Sequence, residues 1–349
     1  MPKTPLPRSG RLPHLGVLRF SGPDALAFLQ GQLSNDTSRL ATGQMLAAYS
    51  SPQGRVLALL HCLPHAGSVV ALLPRELTVP TLESMRRYVL RAKVKIEDAS
   101  EVLAVYGAHG DELPRALGVE PPAGREHIER DAVVVARVGA GSPGGSPAGA
   151  ADAAAPRYWL VGPAERLASL GSGAAPAPDE AAGIEHDWRL ADIRDGLPQV
   201  YAATREAFVA QMLNLDVLDA ISFDKGCYTG QEIIARTQHL GRIKRRMFRL
   251  QLPQGSWHVG QPLRLESGHA GRLVDAAASA SGAEALAVLG LQPASSVAPP
   301  GASAAASPAP SAAATGSRSE ARDADHALGE PSSTVDARIL PLPYPVELR

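Results

Sequence analysis

Apolar positions recur along the chain in two rhythms, every second residue and every third or fourth, and each rhythm predicts a different element. Residues 12–20 (Leu-Pro-His-Leu-Gly-Val-Leu-Arg-Phe) read as a short strand. A helix follows, with Ser21 and Asp24 at capping-box spacing, Pro23 in its first turn, and Leu26, Leu29 and Leu33 on one face. Ser34-Asn35-Asp36 reads as a turn, and Ser51-Pro52-Gln53-Gly54 as a hairpin-like loop ahead of an apolar strand, Val56 to Leu60. Thr78 caps a predicted helix running to about Leu90, with Pro80 near its start. Arg91 to Glu97 then alternates apolar and polar residues and reads as a strand.

Residues 98–182 hold three strand candidates, Val102–Tyr106, Ala132–Val138 and Tyr158–Val161, and a helix-sized segment, Asp111–Leu117. That mixture predicts a small α+β subdomain. From Lys244 the pattern is β: Met247–Leu252, Pro262–Leu265, Gly271–Ala276, Ala285–Leu289 and Arg338–Leu342, which fits a small barrel. Residues 139–156 and 293–334 are rich in Ala, Gly, Ser and Pro and nearly lack large apolar residues, so both are predicted to be disordered insertions. The expected organisation is a discontinuous domain of residues 12–97 plus 183–242, the subdomain 98–182, and a C-terminal barrel over 243–349.

Composition narrows the function classes. The 349 residues carry 34 Lys+Arg against 35 Asp+Glu, a net charge of −1 that argues against a chain devoted to nucleic acid or to an anionic membrane. Two cysteines, Cys62 and Cys227, supply neither a disulfide framework nor an all-protein metal or cluster site. The N-terminal residues lack a signal-peptide core and no apolar run is long enough to span a bilayer, so a cytoplasmic, membrane-free protein is expected. The insertions and the want of an exposed apolar helix point to a monomer.

Candidate chemistry concentrates in residues 225–241, Lys-Gly-Cys-Tyr-Thr-Gly-Gln-Glu-Ile-Ile-Ala-Arg-Thr-Gln-His-Leu-Gly. Thr229 and Glu232 have capping-box spacing, which predicts a helix from Gly230 to near Gly241. Cys227 then lies just before a helix N-terminus and beside Lys225, both of which favour thiolate over thiol. A lone cysteine is also commonly a small buried filler, and local sequence leaves both readings open.

The octapeptide Lys225-Gly226-Cys227-Tyr228-Thr229-Gly230-Gln231-Glu232 resembles the diagnostic motif of the YgfZ family residue for residue. Similar segments flank it: Asp192–Pro198, Phe208–Asp216, Ala235-Arg236-Thr237, Lys244-Arg245-Arg246, Phe28–Asp36, Ser51–Arg55 and Leu342-Pro343-Tyr344-Pro345. The resemblance covers nearly the whole chain outside the two insertions. It implies an α+β, aminomethyltransferase-like folate-binding fold, with subdomains around a central channel and a C-terminal β-barrel. It implies tetrahydrofolate or a derivative as cofactor. It also implies iron–sulfur client or assembly proteins as partners, and through them a link to tRNA modification.

One departure from the aminomethyltransferase pattern stands out. Where that enzyme carries an acidic pair after its hairpin loop, this chain reads Gly54-Arg55-Val56-Leu57-Ala58-Leu59, so no carboxylate is at hand for proton transfer at a folate nitrogen. This disfavours one rival, a folate-dependent C1 transferase; the other rival is a non-catalytic folate-binding scaffold. A smaller departure is Ala210, where relatives often carry Pro.

Trp188 sits where folate-binding relatives present an aromatic to the ligand, and an indole can stack on a pterin or simply fill a core. Gln211 and Asn214 offer donors and acceptors for the pterin edges, or serve as local caps. Tyr88 and Arg91, with Lys93, are candidates for the channel mouth and the anionic glutamate tail; with Arg87 they also read as a solvated face. Within the motif region Tyr228, Gln231, Glu232 and Arg236 complete the candidate cofactor contacts, and Cys227 and Lys225 are the candidate reactive pair. The basic stretch Arg242–Arg249 has only Phe248 as an interleaved aromatic, so direct nucleic-acid binding is not expected. His61 and Cys62 are adjacent in a strand and point to opposite faces, which argues against a shared metal.

Overall fold

In the computed structural model, which describes residues 9–139, 155–170, 178–239, 243–291 and 334–346, three antiparallel-rich sheets surround one long helix. The chain enters through β1 (Gly10–Arg11) and β2 (Leu15–Ser21), then α1 (Ala25–Gln32), β3 (Met45–Ser50), β4 (Val56–His65), β5 (Ser68–Pro74), α2 (Thr78–Arg86) and β6 (Lys95–Asp98). These build a five-stranded sheet in the order β3-β4-β5-β2-β6. Its alternation is strict where it is buried on both faces. Val69, Ala71 and Leu73 join the core under α1 and α2, while Val70 and Leu72 join a second core on the other face.

That second core is shared with a second sheet, β1-β7-β10-β9-β8, built from β7 (Leu103–His109), β8 (His127–Arg130), β9 (Val133–Arg137) and β10 (Arg157–Pro163). Val134, Ala136, Trp159 and Val161 face the first sheet, and Val133, Val135, Tyr158 and Leu160 face a small core closed by Leu117 and Leu167. Those two leucines belong to the segments of the short helices α3 (Glu112–Ala116) and α4 (Ala164–Ala168). A long helix, α5 (Pro178–Arg194), packs its Ile184 and Trp188, one turn apart, into the inter-sheet core.

After α6 (Gln231–His239) the chain forms β11 (Arg245–Leu252), β12 (Pro262–Leu265), β13 (Ala270–Ser279), β14 (Gly282–Gly290), β15 (Thr334–Val335) and β16 (Arg338–Leu340). The sheet order is β15-β12-β13-β14-β11-β16. The two edge strands are separated by only two residues of chain, so residues 334–340 bridge the opposite edges and curl the sheet toward closure. A bulge at Val274 shifts the register and accompanies the inward placement of Asp275, which pairs with Arg189 of α5. Arg194 and Arg249 both bind Glu284, fastening the last turn of α5 to β14. No helix among the described residues is long and apolar enough to cross a membrane.

Several predicted boundaries shift, each for a visible reason. α1 begins at Ala25 because the Asp24 carboxylate is taken by the Lys93 amide and caps nothing in its own helix. Leu26 is exposed while Leu29 and Leu33 are buried. Thr78 lies inside α2 rather than capping it, since a 3-10 turn, Arg75–Leu77, precedes it and its hydroxyl donates to Arg75 O. α2 ends at Arg86, and the strand expected over 91–97 shortens to β6 because Lys93 is held against Asp24 and Gly22. The short strands β1 and β8 were not predicted. The segments 139–156 and 293–334 lie, apart from their end residues, outside the described residues, as does the expected terminator Gly241.

Candidate functional site

The motif loop is held by burial of a charge. Lys225 is buried, and its ammonium donates to three carbonyls, Gln30 O at 2.7 Å, Leu33 O at 2.6 Å and Asn35 O at 2.9 Å. These carbonyls lie in and just after the last turn of α1, where unpaired acceptors and the helix dipole favour a cation. The ammonium also stands 4.8 Å from the ring centroid of Tyr228, and burial pulls its pKa down to about 8. All three of its protons go to backbone acceptors, so the ammonium acts on the neighbouring loop through its charge and not through a hydrogen bond to the thiol.

The segment Phe28–Asp36 is stitched to the motif at further points. Ser34 Oγ donates to Ala220 O and accepts from the Ala48 amide, and Asn35 Nδ2 donates to Leu46 O and Asp219 O. The predicted turn is therefore a buried junction. Cys227 and Gly226 emerge from it exposed. Gly230 adopts φ +83° and stays outside α6, which starts one residue later than predicted. The Gln231 side-chain oxygen reaches back from the first residue of α6 and accepts from the Tyr228 amide in the motif loop. Glu232 and Arg236 lie exposed on α6, and Tyr228 is buried, its phenol pushed up to about 12.

Gln211 and Asn214 are fully buried and act as ties. Gln211 Nε2 donates to Ile234 O of α6, and Asn214 Nδ2 donates to Met247 O of β11 from a left-handed conformation, φ +58°. One N–H of each amide thus serves a backbone acceptor, while Gln211 Oε1 and Asn214 Oδ1 are buried without hydrogen-bond partners. Arg246 adds a two-pronged pair with Asp216 at 2.6 and 2.8 Å. Tyr344, from the closing motif, donates to Gly196 O at 2.6 Å and packs on that glycine.

A separate cleft opens between the first two sheets, α5 and the loop that follows it. It is lined by His14, His61, Trp159, Trp188, Arg189, Asp192, Gln199 and Tyr201, among others, and has room for about one water molecule. Trp188 is almost wholly buried. Arg157 sits 4.7 Å over its ring, His109 meets it edge-on, and a Cβ on Gly107 would come within 2.4 Å of its Cε3. His61 tilts against Trp159 with centroids 4.6 Å apart, and burial lowers its pKa to about 4. Cys62, on the opposite face of β4, is in the apolar core with its thiol pushed up to about 12.

Burial pushes the Asp192 carboxyl up to about 6 against the pull of Arg157, 2.8 Å away. Tyr201 donates to Asp275 at 2.7 Å, and the Arg189 guanidinium pairs with the same carboxylate. Several polar atoms in this wall, among them Gln199 Oε1, Arg189 Nε and Trp159 Nε1, are buried without hydrogen-bond partners, and His14 Nδ1 is 3.7 Å from a carboxylate oxygen of Glu185. Among the described residues no cluster of metal-binding side chains occurs.

The structure therefore places Trp188 in one region and Cys227, Lys225, Tyr228, Gln231, Glu232, Arg236, Gln211 and Asn214 in another. Tyr88 and Arg91 are exposed just beyond α2. Asp192, Gln199 and Tyr201 had no signal of their own in the sequence, although Asp192 falls in a quoted motif and Gln199 directly follows it, and His61 was weighed there only against a shared metal with Cys62.

No family model matches the chain. It is 31% identical over 275 residues to the tRNA-modifying protein YgfZ of Edwardsiella ictaluri, covering 73% of this chain and 74% of that protein. The like-named proteins of Pectobacterium carotovorum (29% over 257 residues, 71% of each chain) and Escherichia coli O139:H28 (26% over 264 residues, 71% of this chain and 73% of that one) are also similar. Among solved structures, the glycine cleavage system aminomethyltransferase T of Bartonella henselae superposes with a TM-score of 0.51 at 12% identity, covering 81% of this chain and 78% of that one. The fold is aminomethyltransferase-like.

Proposed function

The chain belongs to the YgfZ family, and from that premise we propose that it is a tetrahydrofolate-binding accessory protein supporting assembly or repair of iron–sulfur enzymes, with Cys227 as its reactive thiol. Its link to tRNA modification then runs through those client enzymes. The observation that carries the folate reading is the Trp188 cleft: two indoles and an imidazole beside Asp192, Gln199 and Arg189, with buried donor and acceptor atoms still unpartnered. A pterin is flat, aromatic and edged with hydrogen-bonding groups, so an aromatic wall with unpaired polar atoms fits it. Entry requires the wall side chains to move apart, because the closed cleft holds little more than a water. Bound tetrahydrofolate supplies nitrogens that carry a one-carbon unit.

Ordinary aminomethyl transfer is disfavoured by the strand after the hairpin loop. Arg55 donates to Ala207 O, and Val56, Leu57, Ala58 and Leu59 are buried apolar residues, so this stretch offers no carboxylate to move a proton. The exposed Cys227, on a loop anchored by Lys225, suits chemistry on a partner protein instead.

The test has two arms. Titration of purified protein with tetrahydrofolate should quench Trp188 fluorescence, and Trp188→Leu should weaken binding about tenfold or more. In cells lacking the native chain, Cys227→Ala should fail to restore iron–sulfur enzyme activity while binding tetrahydrofolate normally. Lack of folate binding by the native protein, or full restoration by Cys227→Ala, would defeat the corresponding half of the reading.

A further inference from the structure

Three elements far apart in sequence meet on one carboxylate. Arg39, in the 3-10 turn Thr37–Ala41, binds both oxygens of Asp219, Nη1 to Oδ2 at 2.5 Å and Nη2 to Oδ1 at 3.1 Å. Arg125, in the stretch between α3 and β8, reaches the same Oδ2 through its Nη2. Asp219 itself belongs to the run of chain that leads into the motif at Lys225.

Asp219 has φ +53°, a left-handed conformation that Asp tolerates better than most residues but that glycine adopts freely. A charged side chain is thus kept where the backbone favours none, and two guanidinium groups use it. Arg125 is fixed from the other side as well. Its carbonyl accepts from Gln44 N at 2.8 Å, and a Cβ on Gly43 would lie 2.2 Å from that oxygen, so the two stretches meet backbone to backbone. Gln44 Nε2 also donates to Arg137 O at the end of β9.

A continuous path runs from this junction to the thiol. Asp219 O accepts from Asn35 Nδ2 at 2.8 Å, and Asn35 O accepts from the Lys225 ammonium at 2.9 Å, on the loop that presents Cys227. Ser222 N donates to Ser34 O at 2.9 Å, a second link between the same two segments. The junction depends on the carboxylate. Without it two guanidinium groups would face each other and repel, so its loss removes two attractions and adds a repulsion. All three side chains are partly exposed, so salt screens them.

We propose that Asp219 is a positioning residue for Cys227: clasped by Arg39 and Arg125, it ties the seating of the second subdomain to the order of the loop that presents the thiol. Its significance rests on the reading of Cys227 as the reactive thiol, whereas the tie itself is independent of what that thiol attacks. The path is a contiguous chain of hydrogen bonds and ion pairs, and a change at Arg125 therefore reaches residues it does not touch.

Hydrogen exchange of the full chain, read by mass spectrometry on peptides covering residues 219–229, tests this. Arg125→Gln and Asp219→Asn should each speed exchange there about fivefold, the scale of losing partly exposed ion pairs, while peptides from β9 and β10 keep native rates. Arg125→Lys, which keeps the charge, should restore the native rate. Raised salt should speed exchange in the native protein but not in Asp219→Asn, and the combined variant should exceed neither single one. Thermal melting checks that each variant is folded. In cells lacking the native chain, Arg125→Gln should restore iron–sulfur enzyme activity less well than Arg125→Lys. Native exchange rates in both Arg125→Gln and Asp219→Asn, additive effects of the two, or equal restoration by the two Arg125 variants overturns the proposal. Failure of the Cys227 reading shows separately, as full restoration by Cys227→Ala with the exchange effects intact.

Discussion

Gly54 and Gly230 face each other so closely that a Cβ on Gly230 would lie 3.2 Å from the Gly54 Cα and 2.6 Å from Ser51 O. The hairpin loop and the start of α6 thus meet backbone to backbone, and both glycines have positive φ, +70° and +83°. Gly230→Ala should destabilise the protein by about 2 kcal/mol or more, through the contact and the left-handed backbone together. Urea unfolding of the variant checks this, and accelerated alkylation of Cys227 would report that the loop has loosened.

Removing the Lys225 ammonium leaves three buried carbonyls without a donor. Lys225→Met should cost about 3 kcal/mol, at roughly 1 kcal/mol for each lost hydrogen bond. Lys225→Arg should not rescue it, because a planar fork cannot place three donors on one converging point. Chemical denaturation of both variants decides the matter; an unchanged midpoint for Lys225→Met would show the three bonds to be inconsequential.

The two cysteines should separate cleanly in a thiol titration. Cys227 is exposed, whereas Cys62 is buried in the core with its thiol pushed up to about 12. Native protein should present one thiol to a disulfide reagent at pH 8 and two after denaturation, and Cys227→Ala should present none when native.

His61 predicts an acid limb in stability. Burial lowers its pKa from 6.5 to about 4, so between those values the unfolded chain holds more protons than the folded one. Its contribution is fully present above pH 6.5 and is lost as pH falls toward 4, on the order of 3 kcal/mol in total. His61→Gln should flatten that part of the stability profile, measured by denaturant midpoints at pH 5 and pH 7.

The packing of Gly107 on Trp188 provides a test of the cleft that leaves its lining residues unaltered. A Cβ there would come within 2.4 Å of the indole and must displace it. Gly107→Ala should change the near-ultraviolet circular dichroism of the tryptophans and weaken tetrahydrofolate binding, with the thiol reactivity of Cys227 retained.

Much of the fold was legible because burial on two faces imposes a period of two. The strands now seen at 103–109, 133–137, 157–163 and 245–290 were outlined by their apolar residues, and the barrel-like end by its run of short strands. Capping was read less well. Asp24 and Thr78 had the right residue types and spacing, yet the Asp24 carboxylate serves Lys93 and the Thr78 hydroxyl turns back to Arg75. A hydrogen-bonding side chain satisfies whichever partner the tertiary fold brings nearest, and spacing along the chain does not reveal that choice.

By itself the sequence determined the strand pattern and the motif that contains Cys227. Those properties live in residue type and local order. Tertiary structure alone decided that Lys225 braces α1 while Cys227 stands exposed, and that Gln211 and Asn214 bind backbone. It also gathered Trp188, His61, Asp192, Gln199 and Tyr201 into one cleft and clasped Arg39 and Arg125 on Asp219. Burial and hydrogen-bond satisfaction are properties of elements distant in sequence, so no local pattern encodes them.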